Sequence, residues 1–234
     1  EDFVAPGVNG ATGRVLPYAN QQAGAAIGGP LIPDKMHYFF SYEYEREPNT
    51  ILTSPIGFPG QAFSFPTKLT QNSFLGRGDY QLGGNNHFTV RGSYWDWKNP
   101  FTQVSGTEHP SQAANRTRKA INAAGTWSRV INQNVLQEVK VGYSHFDWKN
   151  LHAEPGMANF PNLVFPGGFN LGQRRNYPQE FFQNTYSIRY DLSLHRGSHD
   201  FKIGGEFLKD RHTGWWQNFG RGIFNFATNP PDIE

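Results

Sequence analysis

The feature that most constrains this chain is the rhythm of its connections. Stretches of alternating apolar and polar residues come in pairs. Within each pair the joint is short and polar: Pro33-Asp34-Lys35, Gly83-Gly84-Asn85-Asn86, Asn132-Gln133-Asn134 and Arg196-Gly197-Ser198-His199. Between pairs the joints are long and rich in Pro and Gly. Alternation with a period of two marks half-buried strands, and turns of this composition suit tight hairpins. Nowhere does the three-and-four spacing of an amphipathic helix occur. The pattern predicts four hairpins, at residues 21–46, 72–98, 116–150 and 184–211, separated by long loops at 47–71, 99–115 and 151–183. Residues 1–20 read as loop, and a further strand is expected near Gly222–Phe226.

Short turns at one end and long loops at the other are the pattern of a transmembrane β-barrel. A soluble sandwich more often mixes connection lengths at both ends. Composition agrees. Aromatic residues make up 15% of the 234 residues, with 26 Gly and 16 Pro, yet mean hydropathy is −0.63. A barrel whose strands alternate between lipid and water reconciles the two. Tilted spanning strands of about nine to eleven residues are expected, and no stretch has the long apolar run of a membrane helix. The fold class read from the sequence is therefore all-β, an antiparallel up-and-down transmembrane barrel.

One strand occurs twice. Val90-Arg91-Gly92-Ser93-Tyr94-Trp95-Asp96-Trp97-Lys98-Asn99 and Val141-Gly142-Tyr143-Ser144-His145-Phe146-Asp147-Trp148-Lys149-Asn150 share their valine, their serine and the Asp-Trp-Lys-Asn tail, 51 residues apart. Alternation puts Val90 and Tyr94, like Val141 and Tyr143, on the lipid side. Tyr42, Tyr94 and Tyr143 are then candidates for the lipid interface, where amphipathic rings collect. Asp96 and Asp147 fall in the same phase, so that tail must lie above the hydrocarbon. Trp97 and Trp148 fall on the opposite face and are expected to line the barrel mouth. The polar face carries charges of both signs: Arg77, Arg91, Lys140 and Arg189 with Asp79, Glu138, Asp191 and Glu206. These are candidates for a hydrated, lumen-facing wall with cross-strand ion pairs.

Catalytic and cofactor chemistry is not visible, so no enzyme and no cofactor is expected. There is no Cys, which excludes disulfides, thiolate metal sites and a thiol nucleophile. Eight His occur without tight ligand spacing; His109, His145, His152, His195 and His199 read as solvated residues in loops or at strand ends. Arg77-Gly78-Asp79 lies inside an expected strand and cannot protrude. The net charge of +2, with basic and acidic residues intermixed, gives no basis for a nucleic-acid partner.

Three stretches resemble a known family. Gln21-Gln22-Ala23-Gly24-Ala25-Ala26-Ile27-Gly28-Gly29-Pro30-Leu31-Ile32-Pro33-Asp34-Lys35, followed by Tyr38-Phe39-Phe40-Ser41-Tyr42-Glu43, resembles the start of the barrel in TonB-dependent outer-membrane receptors of the Oar-like type. His199-Asp200-Phe201-Lys202-Ile203-Gly204-Gly205-Glu206-Phe207 is similar to a later hairpin of that family, as is the strand Val135–Ser144. The resemblance implies a bacterial outer-membrane barrel of about 22 strands with a plugged lumen, of which this chain would be the N-terminal part. It also implies outer-membrane lipid, an inner-membrane TonB complex acting through a plug region, and a bulky solute as partners. The other readings of the residues are a small closed barrel with a structural or adhesive role, a soluble carbohydrate-binding sandwich using its loop Trp residues, and an outer-membrane hydrolase.

Overall fold

The structure is a computed structural model that describes residues 19–58 and 60–233. The loop expected over residues 1–20 therefore lies almost wholly outside the described residues. Among the described residues there are eleven strands: β1 (Gln21–Ile32), β2 (Met36–Thr53), β3 (Phe63–Leu82), β4 (Asn86–Thr102), β5 (Ala114–Asn132), β6 (Val135–His152), β7 (Asn162–Val164), β8 (Asn170–Gly172), β9 (Gln179–Arg196), β10 (His199–Trp216) and β11 (Ile223–Asn225). The eight long strands form one sheet in the order β1-β2-β3-β4-β5-β6-β9-β10, and every pairing in it is antiparallel. The three short strands form a second sheet in the order β11-β7-β8. Among the described residues there is no α-helix.

The short turns form where the sequence places them. Asp34, Gly83 and Gly197 supply the left-handed residues, with φ of 58°, 64° and 64°. Asn132 caps its own turn by accepting from the Asn134 N–H at 2.9 Å. Such turns fix hairpin register, and register fixes which face each side chain occupies.

The strands run well beyond the expected nine to eleven residues: β2 has 18, β3 has 20 and β5 has 19. The long connections shrink accordingly to residues 54–62, 103–113 and 153–178, against the expected 47–71, 99–115 and 151–183. Proline is the reason they read as loop. Pro48 pairs with Lys68 and Pro66 with Thr50. Pro48 lies past the last β1 partner, at Arg46, and Pro66 lies before the first β4 partner, at Thr70. Each therefore has one neighbouring strand, the edge situation in which a residue without an N–H is tolerated. The strand expected near Gly222–Phe226 exists as β11, but it joins the small sheet by pairing parallel to β7.

Register sorts the sheet into two faces. One row of partners runs Tyr38, Gly78, Val90, Gly125, Val141, Ile188 and Phe207. Rows on either side bring Phe40, Tyr80, Phe88, Trp127, Val139, Tyr143, Tyr186, Tyr190 and Ile203 to the same face. Val90, Ile203 and Phe207 are each more than 60% exposed. A contiguous apolar face of this extent needs a nonaqueous partner.

The apolar band has an upper boundary. Asp96, Lys119 and Asp147 share one row on the apolar face; below it the charges on that face are single ones, Arg211 and Lys209 on the margin strand β10 and Arg129 near the turns. Along β6, Val135 and Asp147 stand twelve residues apart. That is about 40 Å of strand at about 3.3 Å per residue, or close to 30 Å once a tilt of about 45° is allowed for. The band thus matches a hydrocarbon layer, and Val141 stands at its middle.

Candidate functional site

The face opposite the apolar band carries the polar chemistry. Arg77, Asp79, Arg91, Glu138, Lys140, Arg189, Asp191 and Glu206 all lie on it, in three adjacent rows between the mid-band and the short turns. Arg77 stands opposite Arg91, a like-charge pairing that costs stability. Arg77 answers it by folding along its own strand onto Asp79, with two bonds of 2.7 and 2.9 Å. Thr89 adds a third bond to Asp79 at 2.7 Å. Arg189 and Asp191 repeat the clamp on β9, at 2.8 and 3.0 Å. Glu138 faces Asp191 across the ladder, and Lys140 spans both carboxylates at 3.2 and 3.8 Å. Glu206 pairs in register with Arg189. Arg77-Gly78-Asp79 is thus an internal ion pair within β3.

Above these rows sits an aromatic row. No register shift separates Val90 from Trp97, or Val141 from Trp148, so both indoles fall on the polar face. The two copies of the repeated strand are β4 and β6, and β5 runs between them. Arg118 of β5 pairs with Trp97 on one side and Trp148 on the other. Its guanidinium lies 5.8 Å from the Trp97 ring centre and 4.6 Å from that of Trp148. Trp148 in turn meets Phe181 of β9, with centroids 5.1 Å apart. Arg118 is only 7% exposed, and its charge is met by the carbonyls of Thr117 and Lys149 at 2.7 and 2.8 Å and by Asn150 Oδ1 at 3.2 Å. Asn150 passes the chain of bonds to Gln179 at 2.9 Å. The sequence singled out Trp97 and Trp148 but missed Arg118, the residue that joins them. The signal was available: a repeat carried by strands two apart obliges the strand between to present one residue to both.

The tyrosines at the top of the apolar band are anchored. Tyr42 donates to Asn72 Oδ1 at 2.8 Å and Tyr143 to Asn184 Oδ1 at 2.9 Å. Tyr94 shares a row with Tyr42 and lies under the Lys119 ammonium, 5.6 Å from its ring centre.

The long connections and residues 217–233 fold together into a cap at the loop end of the sheet. Its apolar centre is Phe165, Phe169 and Ile233, packed against Phe58, Phe63, Leu163 and Leu171. Gln112 donates to the Gly172 carbonyl at 2.6 Å, and Arg174 bridges to Glu108 at 2.8 Å. His109 caps the 3-10 turn Pro110–Gln112 by accepting from the Ser111 N–H. Its ring sits edge-on to Phe63 and Phe169, with Nε2 3.3 Å from the Ile233 carbonyl. Burial pushes the His109 imidazole below its ordinary range, and the Ile233 carbonyl partly offsets this. Burial also raises the Tyr177 phenol. His152 is 7% exposed, so His109 and His152 are packed cap residues and not the solvated rim residues that the sequence predicts. His145 lies within β6, 2.9 Å from Asn184 and 2.6 Å from Asp147.

An antiparallel meander with one membrane-thick apolar face, one charged face, short turns below and a folded cap above defines a class: an outer-membrane β-barrel. The outer membrane beta barrel domain family matches residues 47–232, more than three quarters of the chain. The chain belongs to that family, and its place is the bacterial outer membrane. No curated protein matches it.

Proposed function

We propose that this chain is the N-terminal part of the barrel of a TonB-dependent, Oar-like receptor, which takes up or passes a bulky solute. The observation that carries this reading is the open sheet. Eight strands run through one continuous ladder, and yet β1 and β10 each have a single neighbour among the described residues. A sheet that remains open at eight strands supports a wider barrel, and large outer-membrane transporters are of about 22 strands. On this reading the polar face lines the lumen. Its ion-paired wall holds mixed charges in water without a net sign, which suits passage of a large solute or packing of a plug. Energy comes from an inner-membrane TonB partner through the plug region. No catalytic step is assigned to the chain.

In-cell formaldehyde crosslinking to TonB tests the proposal. A crosslinked complex that disappears when TonB is deleted is the expected result. The reading is overturned if no such complex forms and the 234-residue chain alone migrates as a compact, heat-modifiable species, which marks a small closed barrel.

A further inference from the structure

The aromatic row does not end at Trp148. Phe181 follows it, and the next position in register is Gly214 of β10. A Cβ at Gly214 would lie 2.7 Å from Phe181 Cδ1 and 2.6 Å from the Glu180 carbonyl. The bare backbone there lets the Phe181 ring lie against β10. Trp148, braced from behind by Arg118, stands beside it. One row lower, Phe146, Gln183 and His212 share a register line on the same face. These side chains line a concavity of about 570 Å³, within the ~300–1,000 Å³ range of small-molecule sites. Phe146 and Phe181 remain 36% and 39% exposed, on the face that otherwise carries the sheet's ions.

We propose that this concavity is a subsite for the ring of an uncharged sugar, an inference that rests on the polar face lining a lumen. Three properties select that ligand class. The floor is aromatic, and the axial C–H faces of a pyranose stack on such rings through the same electrostatics that draw cations and C–H edges to a π face. The rim is polar, and among the described residues no Lys, Arg, Asp or Glu lines the concavity itself; the nearest cations, Arg118 on Trp148 and Lys149 on Phe182, are engaged by carbonyls with Asn150 and by Glu180. The polar groups it does present are hydroxyl-binding ones. Gln183 spends one amide donor on a long 3.4 Å contact to Thr185, and among the described residues neither His212 ring nitrogen has a partner. Amide and imidazole beside a flat ring can meet the equatorial hydroxyls of a stacked sugar, whereas a hydrocarbon would leave both unpaired.

Equilibrium titration tests this without any transport step. The protein, purified in detergent micelles, is titrated with maltohexaose, cellohexaose, laminarihexaose and chitohexaose, following Trp fluorescence and heat. Saturable binding of at least one of the four is expected. Phe181→Ala should weaken it roughly tenfold, the loss of one aromatic contact. Gly214→Ala, which displaces the ring without removing it, should do the same. The far-UV β-sheet circular dichroism of each variant reports that the protein is folded. The proposal is overturned if no hexaose binds saturably to folded protein, if Phe181→Ala binds with unchanged affinity, or if the apolar dye N-phenyl-1-naphthylamine occupies the site in place of the sugars. Failure here leaves TonB crosslinking untouched, and failure of that crosslink leaves the titration readable, so the two readings fall separately.

Discussion

Val141 offers the sharpest test of which face meets lipid. It stands midway between Val135 and the Asp96–Lys119–Asp147 row, flanked by Gly125 and Ile188, and it is 48% exposed on the apolar face. An arginine there must hold its charge near the middle of the hydrocarbon. Nothing in its row can pair with it, and the nearest water lies about six residues of strand away in either direction, about 14 Å along the normal. Val141→Arg should therefore destabilise the folded barrel by about 2–4 kcal/mol, against about 0–1 kcal/mol for Val135→Arg near the interface. Leu208 supplies the control for face. It lies within one residue of the same depth, since Phe207 shares Val141's row, but it points to the polar side, opposite Ser187. Leu208→Arg should cost about 0.5 kcal/mol or less. The assay is denaturant unfolding from phosphatidylcholine vesicles, read by Trp fluorescence and by far-UV circular dichroism. Equal penalties for Val141→Arg and Leu208→Arg, or a larger penalty for Leu208→Arg, would refute the assignment of faces.

Three further outcomes follow from the upper part of the molecule. Arg118→Ala removes two ring contacts and three hydrogen bonds; it should lower stability by on the order of 2–4 kcal/mol and shift Trp emission, and Arg118→Lys should restore little because an ammonium cannot lie flat between two indoles. The cap should loosen in acid. His109 is held below its ordinary value, so the unfolded cap binds the proton more readily. The cap is most stable above about pH 6.5, and that stability falls as pH drops through the unfolded value toward the folded one. Limited proteolysis of residues 153–178 between pH 7.5 and 5 measures this; His109→Gln should reduce the pH dependence, and the remainder belongs to His152, whose imidazole is also pushed down by burial. Gly172 has φ +78°, and a Cβ there would press on the Pro161 carbonyl and the Phe160 ring; Gly172→Ala should open the cap at a cost of about 1–3 kcal/mol, seen as faster hydrogen exchange at Leu163 and Leu171 and no change in β3 or β4.

The lower half of the sheet was readable because lipid imposes a period of two on one face, and because Gly83, Gly197 and Asp34 announce the turns. Above the Asp96–Lys119–Asp147 row that signal disappears. There both faces meet water, cap or aromatic neighbours, so Thr50, Ser64, Thr67 and Lys149 obey no hydropathy alternation even though they are strand. Pro48 and Pro66 then read as breakers, since sequence does not show that each has only one paired neighbour. The repeated strand was legible in residue type and in the face its tryptophans occupy. Its partner Arg118 was not, because register relates β4 and β6 to β5 only once strand order is known. The cap was illegible for a different reason. Phe58, Phe165, Phe169 and Ile233 come from distant segments with no shared period.

The unpaired margins of the sheet bear on how such a protein is made. The outer edge of β10 runs 18 residues and that of β1 runs 12, and alternate residues along each turn backbone N–H and C=O groups outward. In hydrocarbon each such group left alone costs several kcal/mol. In the aqueous compartment the same margins are templates for wrong pairing. A sheet with two open margins is therefore costly in the bilayer and prone to mispairing in water. Both margins have to be paired or shielded before the sheet meets the hydrocarbon.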